Sequence, residues 1–118
     1  MKLILTKGLA KLGDSVLNFV VSAGISISLK KPCGVKVADK IIRKAVAKEC
    51  IERIVHKSSL KHMKIEDIVE ALIAYIWING WVTIDELIDA AAQGHSVEES
   101  TKKVIDKTIS IIESKIKY

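Results

Sequence analysis

The spacing of apolar residues along the chain predicts five helices and no convincing strand. The first helix spans about residues 6–28. There Leu9, Leu12, Val16, Phe19, Val20 and Ala23 recur at intervals of three and four, the spacing of one helical face. Leu17, Val21 and Ile25 widen that face, so the helix is apolar on most sides, which predicts a central position in its domain. The stretch KKPCG breaks the pattern at 30–34. A second helix begins near Val37 or Asp39 and runs to about His56, with Ile41, Ile42, Ala45, Val46, Ile51, Ile54 and Val55 as its buried stripe. The stretch HKSSLKHMK reads as a polar connector containing a short helical turn. A third helix spans about 65–78, with Ile65, Ile68, Val69, Leu72, Ile73 and Ile76 facing the core and Asn79-Gly80 as its stop. Thr83 with Glu86, and Ser96 with Glu99, have the T/S-x-x-E form of a capping box. They open a short fourth helix ending at Gly94 and a last amphipathic helix over about 97–117, carrying Val104, Ile105, Ile109, Ile112 and Ile116. The predicted class is all-α, a compact helical bundle.

Length and composition fit one such bundle. A chain of 118 residues supports one modest core, so residues 1–118 are read as a single domain. With 49% hydrophobic and 28% charged residues, it has the balance of a folded protein. The start, MKLIL, followed by an apolar run, invites comparison with a leader or a membrane span. Lys7, Lys11 and Asp14 interrupt its first part, and Asn18 with several Ser and Gly residues its second; a span needs roughly 20 apolar residues. Neither export nor membrane insertion is expected. Cys33 and Cys50 lack metal-ligand spacing and are read as reduced thiols of a cytoplasmic protein. The net charge of +5 favours a polyanionic partner, although a lysine-rich solvated surface accounts for it equally well.

The acidic residues sharpen this picture. On the third helix Asp67, Glu70 and Ala74 fall close to one line beside Ala71, bordering the apolar face. Acids in the first turns of a helix are also expected simply from its dipole, which accounts for Glu66, Asp67 and Glu70 without any site. Asp14 has no such account. It lies inside an apolar helix, next to Gly13, a residue that permits close approach. If the two stripes face one another, three carboxylates converge in a partly dry place, at a cost that a divalent cation would remove. Hard oxygen donors suit magnesium or manganese.

The residues that carry these acids resemble a known family. KLGDSVLNFVVS is similar to the signature of the ribonuclease III catalytic domain, and DIVEALIAYIWINGW, residues 67–81, to its second motif. Asp67, Glu70, Ala71, Leu72, Ile73, Ile76 and Gly80 fit the second pattern without a gap. The basic segment DKIIRKAVAKE stands where the family has an arginine-containing helix, and the likeness covers about residues 7–92. It implies an all-helical, homodimeric endonuclease, dependent on Mg2+ or Mn2+, that hydrolyses phosphodiester bonds in double-stranded or structured RNA. It further implies Asp14, Asp67 and Glu70 as metal ligands and catalytic residues, with metal-activated water as the nucleophile.

Two family carboxylates are replaced: Ala10 stands where a glutamate is usual, four residues before Asp14, and Asn79 where an aspartate is often found. Short single-domain "mini" members of the family look similar at the first position. No double-stranded-RNA-binding domain fits in the remaining sequence, so Lys40, Arg43, Lys44, Lys48, Lys61 and Lys64 are the candidate RNA contacts, recognising shape more than sequence. His56, His62 and His95 are dispersed and read as surface or loop residues; Trp77 and Trp81 read as core or dimer packing. Three functions follow. The first is an endonuclease. The second is a protein of the same fold that binds structured RNA or a ribonucleoprotein without cutting it. The third is a helical interaction module with no RNA role.

Overall fold

A computed structural model describes residues 1–116, and the regular elements among them are all α-helices. Its elements in order are α1 (Lys7–Leu29), α2 (Asp39–Lys44), α3 (Lys48–Ile54), α4 (Lys57–His62), α5 (Ile65–Ile78), α6 (Ile84–Ala91) and α7 (Val97–Ile116). The predicted all-α bundle is what forms. The first, third and last predicted helices match α1, α5 and α7 to within a residue, as far as the described residues reach.

α1 and α5 pack along each other at the centre, and α6 and α7 close the bundle against them. α5 is buried on nearly every side, including Ala71 and Ala74. α1 is long and apolar enough to cross a membrane by length and composition alone. Here it is a core helix: Leu17, Val20 and Val21 are fully buried.

The buried face of α1 keeps Val16, Leu17, Val20, Val21 and Ile25 of the predicted apolar surface but is displaced toward the small residues. Ala10, Gly13, Leu17, Val20, Val21 and Gly24 face inward, whereas Leu9, Leu12 and Ala23 are partly covered and Phe19 is 57% exposed. The reason is close approach. A Cβ on Gly13 would run into the backbone of Glu70, and one on Gly24 into Ala91, so neighbouring helices come closest along the glycine side.

The predicted second helix is two helices. α2 ends at Lys44 with Ala45 as its C-cap, and Ala47 is extended with φ −85° and ψ 134° before α3 begins. In one continuous helix Ile51 would lie roughly 180° around from Ile42. Both are fully buried, and the break turns the two apolar faces to the same core. The polar connector contains α4, so among the described residues seven helices form where five were expected.

The stops and caps follow the sequence. Gly80 takes φ +72° just after α5. Thr83 and Glu86 form both bonds of the capping box: Glu86 N–H donates to Thr83 Oγ1 at 3.1 Å, and Thr83 N–H to Glu86 Oε1 at 2.9 Å. Ser96 Oγ accepts from Glu99 N–H at 3.1 Å. The first residues also join the fold. Leu3 and Leu5 are buried, and Leu3 exchanges backbone hydrogen bonds with Ile54 and His56 as an isolated bridge beside Val55.

Candidate metal centre

The contact between α1 and α5 sets the site. Gly13 brings the two backbones together, and the next residue, Asp14, then projects at the border of the α1–α5 seam. Glu70 meets it from the second turn of α5. Glu70 is 5% exposed although it is an acid. Its carboxyl is pushed up to about 8, first by burial and then by Asp14, with which it shares a hydrogen-bonding contact; Asp67 and Asp39 add repulsion. An acid held this way near neutral pH, against a second acid, is a functional-site signature.

Asp67 lies half-exposed in the first turn of α5, about 60° around the helix from Glu70. The structure therefore brings Asp14 and Glu70 together and leaves Asp67 at their side. Among the described residues, no group of three or more His, Cys, Asp or Glu side chains is gathered closely enough to hold a metal ion. Asp14 and Glu70 pair, and Asp67 stands beside them without closing a cage. What they offer is a pair of hard oxygen donors open to solvent on one side. That donor set fits a cation held by one or two carboxylates that keeps waters and accepts phosphate oxygens, and it does not fit a caged ion.

Residues that the sequence did not single out complete the surroundings. Asn18 Nδ2 donates to Asp14 Oδ1 at 3.2 Å, and Lys36 Nζ lies 3.8 Å from Asp14 Oδ2. Lys36 comes from the segment 30–38, which α1 binds at alternate residues. Ser26 Oγ accepts from Cys33 N–H, Ser22 Oγ from Val35 N–H, and Asn18 Oδ1 from Val37 N–H, at 2.9, 2.9 and 2.8 Å. The spacing of Asn18, Ser22 and Ser26 by four was visible in the sequence as a polar stripe on an apolar helix. Nothing in the sequence pointed it at this segment.

The candidate RNA contacts divide. Lys40, Lys44, Lys48, Lys61 and Lys64 are all exposed. Lys40 and Lys44 stand on the rim of a groove of about 530 Å3 between α2 and α7, facing Lys102 and Lys103 as well as Glu98 and Glu99. This groove does not contain the paired carboxylates, although Asp39, at the start of α2, is close enough to act on Glu70. Arg43 is engaged otherwise. Its Nη1 donates to Glu66 Oε2 at 2.7 Å, and the Glu66 side chain is 5% exposed. Ala10 is buried. Asn79 caps α5 and donates from its side chain to the Tyr75 carbonyl. Trp81 stacks edge-on with Tyr75, while Trp77 is partly exposed on α5.

The comparison with curated proteins returns no match. A family model described as Ribonuclease III matches residues 7–116, which takes in α1 with Asp14, α5 with Asp67 and Glu70, and α7. With nearly its whole length covered, the chain belongs to the ribonuclease III family.

Proposed function

We propose that this member of the family is an endonuclease that hydrolyses phosphodiester bonds in double-stranded or structured RNA, using magnesium or manganese bound at Asp14, Glu70 and Asp67. The observation that carries the reading is the pairing of buried Glu70 with Asp14 across the α1–α5 seam. Such an ion supplies an activated water and stabilises charge on the phosphodiester. The chain's own residues prepare the place. Gly13 sets the separation of the two helices, Asp14 presents one oxygen toward solvent, and Glu70 gives up its proton when a cation replaces it. Exposed Lys40, Lys44, Lys48, Lys61 and Lys64 hold backbone phosphates, which makes binding salt-sensitive and directed at duplex shape.

A homodimer belongs to this reading. Phe19 and Ile27, 57% and 59% exposed, lie on the same outward side of α1 as the partly covered Leu12 and Ala23. That apolar stripe is suited to a second copy of the chain.

Ala10 favours the other reading, a protein that binds structured RNA without cutting it, because one customary carboxylate is absent from the α1 side of the site. A cleavage assay on duplex RNA with and without Mg2+, using Glu70→Ala as the control, separates the two. Metal-dependent cutting that Glu70→Ala abolishes is the expected result. Cutting unaffected by that substitution overturns the proposed site, and duplex retained uncut in Mg2+ and in Mn2+ supports the binding-only alternative.

A further inference from the structure

The geometry points to Asn18 as a positioning residue for the metal-binding carboxylate of Asp14, an inference that rests on the site proposed above. Asn18 follows Asp14 by one helical turn. One side-chain amide serves two partners: Nδ2 donates to Asp14 Oδ1 at 3.2 Å, and Oδ1 accepts from Val37 N–H at 2.8 Å. A flipped amide would set an oxygen against the carboxylate and an NH2 against the backbone N–H, so the two partners fix its orientation.

The other two rungs of the same ladder show what asparagine adds. Ser22 accepts from Val35 N–H and donates to the Val35 carbonyl; Ser26 accepts from Cys33 N–H, and its hydroxyl has the Ser22 carbonyl of its own helix at 2.8 Å and the Cys33 carbonyl at 3.1 Å as acceptors. Both serines accept from the segment they hold, and neither hydroxyl reaches a carboxylate. Asn18 accepts from the segment in the same way but turns its donor onto Asp14. Holding the segment needs only a serine; reaching the carboxylate needs the longer amide.

The consequence concerns Asp14. Beside Glu70, an unrestrained aspartate would rotate its charge toward water. The Asn18 donor holds Oδ1, and Oδ2 faces Lys36 Nζ at 3.8 Å, an exposed ammonium that a cation taking that oxygen would displace. Partners that orient a metal-binding carboxylate are typically worth about 10- to 100-fold in metal affinity.

The test is calorimetric titration of Mn2+ into the intact protein without RNA. Four chains are compared: wild type, Asn18→Ser, Ser22→Ala and Glu70→Gln. Asn18→Ser keeps a hydroxyl for Val37, as Ser22 and Ser26 do for their partners, and loses the donor to Asp14. It is expected to bind Mn2+ about tenfold more weakly or worse. Ser22→Ala loosens the same segment without touching Asp14 and is expected to keep wild-type affinity; Glu70→Gln is expected to lose binding. In cleavage, Asn18→Ser should raise the Mg2+ concentration giving half-maximal rate and leave the KM for RNA unchanged. Wild-type Mn2+ affinity in Asn18→Ser, or an equal loss in Ser22→Ala, overturns the positioning role while leaving the metal site standing. Absence of Mn2+ binding by the wild type overturns the site and this inference together. If Asn18→Ser does not fold, Asn18→Thr carries the same hydroxyl and the same expected loss.

Discussion

Gly13 of α1 lies so close to Glu70 of α5 that a Cβ at position 13 would fall 1.7 Å from the Glu70 carbonyl oxygen and 3.0 Å from its Cα. The obstacle is backbone, which cannot swing aside as a side chain can. Gly13→Ala must therefore push α1 and α5 apart at the point where Asp14 and Glu70 meet. The expected result is a loss of about 3 kcal/mol or more of stability, with loss of cleavage. Gly8→Ala is the control. Position 8 is exposed, the nearest atom to its Cβ is Thr6 Oγ1 at 3.8 Å, and alanine there should be neutral or stabilising. Urea unfolding of the two variants checks both.

Glu70 makes the metal-free protein sensitive to alkali. Its folded-state value, about 8, stands above its ordinary 4.5. The folded state therefore holds a proton that the unfolded chain releases. The resulting stability is complete below about pH 4.5 and is lost as pH rises through about 8. Glu70→Gln removes this dependence. Above pH 8 the metal-free variant should exceed wild type by on the order of 3 kcal/mol, with the two converging in acid. Thermal unfolding in chelator across pH 4–9 measures it. A divalent cation should stabilise wild type at pH 8, by about 2.7 kcal/mol at a hundred times its Kd, and leave Glu70→Gln unchanged.

Arg43 should behave as a structural residue. Its guanidinium pairs with a nearly buried carboxylate, Glu66. Arg43→Ala strands that charge and should cost about 2 kcal/mol, less than a fully buried pair because Arg43 is itself 50% exposed. Adding Glu66→Gln should recover most of the loss. The double-mutant cycle in chemical denaturation gives the coupling directly.

The exposed lysines should act through charge alone. Replacing Lys40, Lys44, Lys48, Lys61 or Lys64 by alanine should leave stability within about 0.5 kcal/mol. For each lysine that contacts a phosphate, duplex affinity should fall and the dependence of log affinity on log salt should flatten by about one. Binding measured over a salt series separates contacting lysines from bystanders.

Asp67 should matter less than its neighbours. Asp14→Asn and Glu70→Gln each remove one member of the close pair, whereas Asp67→Asn removes a half-exposed acid beside it. Metal-dependent cleavage should drop by about 100-fold or more for the pair and by about tenfold for Asp67. Rates at saturating Mg2+ rank the three.

Much of this protein is written in local sequence. The helices α1, α5 and α7, the Gly80 stop and the Thr83–Glu86 box depend on residues three or four apart, so their physics is complete within one segment. The two motifs carrying Asp14, Asp67 and Glu70 were legible for the same reason, and they led to the ribonuclease III family. Other features depend on what lies across the core. The buried face of α1 follows its glycines, because Glu70 and Ala91 press against them, and so Phe19 turns outward. The break at Ala45–Ala47 exists because Ile42 and Ile51 must reach one core from a chain that a single helix would have turned apart. Asn18 and Lys36 join Asp14 only when the segment 30–38 folds back along α1. Burial and repulsion by three carboxylates, acting across three helices, are what carry Glu70 to about 8. No spacing along the chain encodes that, because it arises from groups distant in sequence and excluded water.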